Sequence, residues 1–525
     1  MDNYTIGGAA IILTALIVAH MSSTKRAPAP LPPGPKGLPL VGNVADLPQS
    51  QPWLGFAEFE EKYGTSISFR NANYVVFTKA TPGGITHLSV LGKHIMILND
   101  PKYAVDMLDK KSKIYSDRPQ LIMAGDLVGW GAGPALIPFG KRWSEYRKLF
   151  AGFMGTRAKV DAFDDTLNEE THKFLKSVVG KPEKWVEHAF KFAGSIVLTL
   201  TYGYKASSQD DGLVKLVNEA MDQFSETTVT GAFMVDVFPS LQYVPSWFPG
   251  AGWKRKASKY HNTLEQMLDQ PYQWVKKQMS QGTAQKSFLT SQLDHRNPDS
   301  EEEKLIKWAA AGIYSGGADT TVGGIECFFL AMTYHTSHQI RAQEELDTVL
   351  GHGVLPTLAD RARLPYVDAL FIETMRCYTF APLGLPHVAS EDDIHDGYFI
   401  PKGTMLLSNV WRFFHNPSTY PDPDVFKPER FLETLDHPAK DKDPRDYVYG
   451  FGRRSCPGSH LADASMWLLC ANVLAALDIR PPVGVDGKPR LPSGKFLDGS
   501  ISHPEPFECE IKPRSAATIT AIQHS

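Results

Sequence analysis

The sequence predicts a mainly α-helical protein with small β-sheets set to one side. Three observations point there. Apolar residues recur at helical spacing over 140–151, 157–178, 303–337, 339–350, 366–379 and 459–476. Strand-like runs are shorter and cluster toward the two ends: TSISFR, HLSVLGKHIMIL, GYFIPKGTMLLS and the terminal ECEIKPRS. Composition is that of a globular chain, with 42% hydrophobic and 21% charged among 525 residues, which excludes wholesale disorder. The 54 Lys+Arg against 58 Asp+Glu give a net charge of −4, without the basic excess of a nucleic-acid binder. Five widely spaced cysteines (Cys327, Cys377, Cys456, Cys470 and Cys509) form neither a disulfide framework nor a CxxC metal clip.

Along the chain, the first element is the run Tyr4 to Met21, which holds no Asp, Glu, Lys or Arg. As a helix rising about 1.5 Å per residue it reaches about 27 Å, the thickness of an endoplasmic reticulum bilayer. Asp2 precedes the run while Lys25 and Arg26 follow it, so the positive-inside rule keeps the downstream chain cytosolic. A cleaved signal peptide would carry its basic residues first and a small-residue cleavage site afterwards, and neither pattern is present. Residues 1–22 therefore read as a luminal tip and transmembrane anchor. Residues 23–43 read as a linker, since five of the eight residues from Pro28 to Pro35 are proline and stiffen the chain. Residues 44–525 show no repeat, no low-complexity tract and no second linker.

The densest chemistry lies in Tyr449-Gly450-Phe451-Gly452-Arg453-Arg454-Ser455-Cys456-Pro457-Gly458. Two closely spaced glycines make this a loop, and SHLADASMWLLCANVLAAL after it reads as an apolar helix. Cys456 thus sits just before a helix N-terminus, where backbone N–H groups favour a thiolate. Pro457 suits a helix entrance, and Arg454 can compensate a bound anion. An isolated cysteine is usually an inert core residue; the loop, the helix start and the flanking arginines together point to a ligating thiolate.

This segment resembles the haem-binding loop of the cytochrome P450 family, F-x-x-G-x-R-x-C-x-G, with Tyr449 where Phe is usual. The resemblance implies the cytochrome P450 fold, haem b (iron protoporphyrin IX) as cofactor, and Cys456 as axial ligand of its iron. Such a thiolate pushes electron density toward O–O cleavage. The other signatures follow in order across about residues 30–515. Glu373 and Arg376 in FIETMRCYTF, with Arg430 in PERF, match the family's buried ionic network, which is structural. Gly316-Gly317-Ala318-Asp319-Thr320-Thr321 matches its (A/G)-G-x-(D/E)-T-(T/S) segment. Adjacent glycines inside a helix cost about 0.8–1.0 kcal/mol each. They serve either close packing or a helix held open over a cofactor. In the second case Asp319 and Thr320 are the catalytic pair, relaying protons into a pocket that otherwise excludes water.

By the same resemblance Trp143 and Arg147, in the W-x-x-x-R of KRWSEYRKLF, together with His387 and Arg454, bind the haem propionates. The motifs at residues 143, 319, 387 and 456 must surround one macrocycle, so residues 44–525 are expected to form a single haem-binding catalytic domain. Gly129-Trp130-Gly131-Ala132-Gly133 imitates a dinucleotide loop, but Pro134 stands where the third glycine is required. With no P-loop or flavin-domain sequence, electrons are expected from a separate NADPH-cytochrome P450 reductase. Lys141, Arg142, Lys148 and Arg453 are candidates to attract it on the thiolate side. The aromatic segment 237–256 is expected to dip into the membrane through Trp247, Phe248 and Trp253. Mostly apolar walls near Leu121–Leu136, Ala309–Ala318, Ala381–Leu385 and Phe496–Ile501 suit a lipophilic substrate.

The expected function is that of a monooxygenase using O2 to hydroxylate or epoxidise a lipophilic small molecule. It is a single-pass protein of the endoplasmic reticulum with its catalytic domain in the cytosol. The N-terminal pattern and the ending SHPEPFECEIKPRS resemble fungal members, many of which act on secondary metabolites such as terpenoids. Two alternatives are an oxygen-independent isomerase or dehydratase on the same fold, and a non-catalytic haem-binding sensor. The Asp319-Thr320 pair argues against the first.

Overall fold

The computed structural model describes residues 27–63, 84–206, 211–229, 232–294, 298–433 and 439–524, with the backbone of Ser68–Asn71 and Tyr74–Phe77. The run Tyr4 to Met21 lies outside the described residues; among those described, no helix is long and apolar enough to cross a membrane. The fold is mainly helical with small sheets.

Short helical turns aside, α1 (Pro52–Tyr63) is followed by β1 (Ser68–Asn71), β2 (Tyr74–Phe77), β3 (Ile85–Val90) and β4 (Lys93–Leu98). The helical body follows: α2 (Lys141–Met154), α3 (Asp164–Gly180), α4 (Trp185–Tyr202), α5 (Gly212–Thr228), α6 (Gly252–Ser280), α7 (Ser300–Tyr334), α8 (Thr336–Val349) and α9 (Pro365–Cys377). Then come β5 (His387–Val388), β6 (Asp393–His395), β7 (Tyr398–Ile400), β8 (Met405–Ser408), α10 (Ser459–Ala476), β9 (Leu477–Arg480) and β10 (Glu510–Pro513).

The run HLSVLGKHIMIL is two strands. Leu91 and Gly92 take φ of 49° and 79°, making a two-residue turn between the paired Val90 and Lys93. β4 then pairs in parallel with β8, and β8 antiparallel with β5, giving the sheet order β3-β4-β8-β5. This sheet joins the two ends of the chain and carries His387 on its edge strand. A bridge from Val388 to Asp117 (N–H to carbonyl, 3.0 Å) brings Arg118 alongside.

α7, 35 residues long, runs through the middle of the body and packs on α2, α4, α9 and α10. Asp299 caps it, accepting from the N–H groups of Glu301 and Glu302 at 2.9 Å. α4 was not among the segments expected from periodicity; 13 of its 18 residues are buried, with Glu187 and Lys191 one turn apart on its outer side. α6 begins at Gly252, inside the segment expected to touch the membrane, and continues through Pro271 to Ser280. Trp253 consequently packs against the core, while Trp247 (78% exposed) and Phe248 (50%) stay on the surface. The glycine-rich stretch at 129–133 is a packing device: it places Trp130 edge-on to Phe224 and Trp308.

The Glu373–Arg376–Arg430 network is present and buried. Arg376 grips Glu373 with two bonds of 2.7 and 2.8 Å, and Arg430 Nε reaches the same carboxylate at 3.2 Å. The Lys427 N–H adds a fourth bond at 2.7 Å, so both carboxylate oxygens are satisfied. The remaining Arg376 nitrogen ties down the carbonyls of Phe414 and Pro423 at 2.8 Å, locking the segment that leads into the cysteine loop.

Candidate active site

The cysteine loop is shaped by its glycines. Gly450 and Gly452 take φ of 74° and 48°, left-handed values that favour residues without a side chain. At Gly452 a Cβ would strike the Leu108 carbonyl, and its N–H donates to Asp109. The loop closes with the Cys456 N–H on the Tyr449 carbonyl at 2.7 Å. Burial pushes the Cys456 thiol up, while the Gly458 N–H and the Arg147 charge pull it back toward the thiolate. The three residues from Cys456 to the first turn of α10 thus do what a helix N-terminus does for an anion.

Around this sulfur stands a set of cations held by backbone alone. Arg147 Nη1 donates to the Ser455 carbonyl at 2.6 Å. Arg454 donates to the carbonyls of Ser116 (2.8 Å) and Ile137 (2.6 Å), with its guanidinium 5.4 Å from the Trp143 ring. Arg118, not singled out from sequence, is fixed by Ala135 (3.1 Å), Leu385 (2.9 Å) and Pro386 (2.6 Å). Burial and the neighbouring Arg454 disfavour its charge. The nearby carboxylate, Asp117, is engaged by the N–H groups of Arg118 and Phe139 at 3.0 Å.

His387 joins the cluster in a different state from that of a cationic anchor. Its Nδ1 lies 2.7 Å from the Tyr115 carbonyl, which can only accept, so Nδ1 carries the proton. Burial, then the charge of Arg118, push its pKa well below the usual histidine range. The ring is therefore neutral, with Nε2 an acceptor.

α7 supplies the opposite wall. Its two glycines divide the roles that sequence left open. A Cβ on Gly317 would sit 2.6 Å from Val197 on α4, which is close packing, whereas a Cβ on Gly316 would meet nothing within 4 Å. Thr320 Oγ1 donates to the Gly316 carbonyl at 2.7 Å. The helix is continuous through this point, so the expected gap is a local rearrangement of hydrogen bonding and not a break. Asp319 turns the other way, toward His503 (3.3 Å), a residue whose part was not legible from sequence.

The family model for cytochrome P450 matches residues 32–511. The chain belongs to the cytochrome P450 family. Among relatives, it is 47% identical to cytochrome P450 monooxygenase 208 of Postia placenta over 99% of this chain and 98% of that protein. It is 42% identical to cytochrome P450 monooxygenase claR of Ampulloclitocybe clavipes, over 94% and 88%. It is 36% identical to O-methylsterigmatocystin oxidoreductase of Aspergillus flavus, over 97% and 92%. This P450 is thus one of the monooxygenases of its family, with fungal relatives.

The family implies a haem-thiolate cofactor, and the donor set fits one. Three half-buried arginines, held mostly by backbone carbonyls with Asp117 as the nearby carboxylate, carry more positive charge than that acid offsets and suit an anionic ligand, which a dipropionate supplies. Tyr449 keeps an aromatic ring near the thiolate, but its hydroxyl is buried with no hydrogen-bond partner among the described residues. An unmet buried hydroxyl costs about 1–3 kcal/mol. Tyr449→Phe is therefore expected to leave stability unchanged or raised, measured as the midpoint of thermal unfolding of the haem-loaded protein.

Proposed function

We propose that this P450 hydroxylates or epoxidises a lipophilic small molecule, taking electrons from an NADPH-cytochrome P450 reductase, and that it serves fungal secondary metabolism on a terpenoid or similar scaffold. Bound haem, ligated by Cys456, supplies the activation of O2. Arg118, Arg147, Arg454 and Trp143 hold its periphery, and neutral His387 offers an acceptor at Nε2. Gly316, facing open space beside Thr320, is the observation that carries the reading: it leaves room on the α7 face where a protein hydroxyl stands ready. At rest the Thr320 hydroxyl donates to the Gly316 carbonyl; on turning from it, the O–H can give its proton into the pocket while Oγ1 accepts another from the Asp319 side, so that the hydroxyl is restored. The apolar walls exclude bulk water, so protons arrive through these side chains. An isomerase would have no use for this pair.

Residues 4–21 are proposed to anchor the chain in the endoplasmic reticulum membrane, with residues 44–525 as one cytosolic catalytic domain. Tyr243, Trp247 and Phe248, exposed on one surface segment, support a second contact with the bilayer. Lys141, Lys148 and Arg453, all exposed, suit an acidic reductase surface. Arg142 is less available, since it lies against Glu145 and Glu301 at 3.6 and 3.8 Å.

The test is reconstitution with reductase and NADPH over a panel of terpene hydrocarbons and methoxylated polycyclic arenes, scored for products one oxygen atom heavier. No such product from any scaffold, with intact haem and reductase, contradicts the proposal. Thr320→Ala is expected to preserve haem binding while lowering product per NADPH by about tenfold and releasing hydrogen peroxide instead. Unchanged coupling would remove Thr320 from the relay.

A further inference from the structure

Asp319 does not stand alone on α7. Seven residues further along the same helix lies Glu326, and one imidazole bridges the two: His503 Nδ1 is 2.6 Å from Glu326 Oε2 and Nε2 is 3.3 Å from Asp319 Oδ1. The ring crosses the helix at Gly323, where a Cβ would sit 3.6 Å from His503 Cε1. The backbone on either side is fixed. The Ser502 N–H donates to the Phe380 carbonyl at 2.7 Å, and the His503 carbonyl accepts from Leu497 at 2.8 Å. From the neighbouring element, α5, the acid Asp222 faces this cluster, while Glu219 on the same helix is met by Lys259 of α6 at 3.9 Å and by the Gln223 amide at 3.0 Å. Asp222 lies at the solvent edge, its carboxyl pushed up by partial desolvation and by the Asp319 charge and pulled back by His503. One basic group therefore sits among carboxylates from two helices.

We propose that His503 is the positioning residue of the proton path: its ring, bridging Glu326 and Asp319, holds Asp319 turned toward the solvent side at Asp222, so that Asp319 serves Thr320 only when this contact opens. The inference rests on the Asp319–Thr320 reading above. On opening, the His503 Nε2–H···Asp319 contact breaks with the proton staying on Nε2, and the freed carboxylate takes up a solvent proton. The imidazolium is not itself the donor: released from Asp319, it keeps both N–H protons, with Nδ1–H on Glu326. The proton that forms the Asp319 O–H bond comes from a hydronium on the solvent side at Asp222, leaves a water behind, and passes on to Thr320. Because the same turn carries Ile501, which also borders Gly323, displacement of that turn moves both the pocket wall and the clamp.

Burial opposes the charge on His503, but its bonds to Asp319 and Glu326 outweigh burial and push its pKa up to about 10. A folded pKa above the unfolded one gives stabilisation that is complete below about pH 6.5 and is lost as pH rises through about 10. The thermal midpoint of the wild type is thus expected to exceed that of His503→Gln most at low pH, the margin shrinking toward about pH 10.

The deciding experiment uses the full haem-loaded enzyme with reductase, with 7-ethoxycoumarin as the lipophilic probe. Peroxide released per NADPH is followed between about pH 6.5 and about pH 8.5. The wild type is expected to be flat. His503→Gln, which leaves Asp319 among acids only, should vary by about threefold or more over that range, and His503→Lys, which restores a cation, should be flat again. In parallel, 15N spectra of histidine-labelled enzyme, with His503 identified by its absence in His503→Gln, should show both ring nitrogens protonated throughout. A neutral ring in that range, or a His503→Gln profile that superimposes on the wild type while Asp319→Asn and Thr320→Ala release peroxide, overturns the inference alone. If Asp319→Asn and Thr320→Ala also couple like the wild type, the proton-relay reading itself fails and takes the inference with it.

Discussion

Glu373→Ala is expected to destabilise the fold by about 3–5 kcal/mol, a large share of the roughly 5–15 kcal/mol that holds a typical domain together. Glu373 is fully buried and accepts two bonds from Arg376, one from Arg430 and one from the Lys427 N–H. Removing it leaves two buried guanidinium groups with one fewer counter-charge; Arg430 keeps Asp441 at 3.0 Å, but Arg376 keeps only carbonyl dipoles and the Tyr420 ring. The effect spreads because Arg376 also fixes the Phe414 and Pro423 carbonyls. Urea unfolding followed by circular dichroism, or the yield of soluble haem-loaded protein, measures it. A loss below about 1 kcal/mol would mean that solvent reaches the network.

The second large effect is at Cys456. Cys456→Ala removes the sulfur that the loop is built to present and leaves Arg147 facing the Ser455 carbonyl alone. Turnover with reductase and NADPH is expected to fall by at least about a thousandfold, since no other side chain in the loop can supply the thiolate's electron density. Fold stability should change little, because the Tyr449–Cys456 closure is made by backbone atoms. The other cysteines offer no substitute: burial raises the thiols of Cys327, Cys377, Cys470 and Cys509, and even Cys470, on the helix that follows the loop, sits well over two turns beyond its start.

What was legible in the sequence was whatever is local. Cys456 with its glycines, Trp143 with Arg147, and Asp319 with Thr320 are each within a few residues of one another, so the resemblance to short family motifs could pick them out, though not that Asp319 and Thr320 turn to different partners. The long helix at 303–337 could be read from its length and its unbroken run of apolar and small residues; α4 was passed over although Glu187 and Lys191 mark its outer face. Arg118 and His503 were missed for a non-local reason. Their meaning comes from groups far along the chain: Arg118 is fixed by carbonyls 267 and 268 positions away, and His503 reaches Glu326 across 177. The neutral state of His387 is equally non-local, set by its burial and by the arginines folded against it. Trp253 was placed at the surface by composition, but the helix starting at Gly252 turns it inward.

The central claim is that this P450 activates oxygen through haem held by Cys456, and the spectrum of the reduced, carbon-monoxide-bound protein tests it most directly. The account predicts the red-shifted thiolate-type Soret band in the wild type and in Cys327→Ala, Cys377→Ala, Cys470→Ala and Cys509→Ala. That band should be lost in Cys456→Ala. A thiolate-type band that survives in Cys456→Ala, or that disappears with any of the other four, would contradict it.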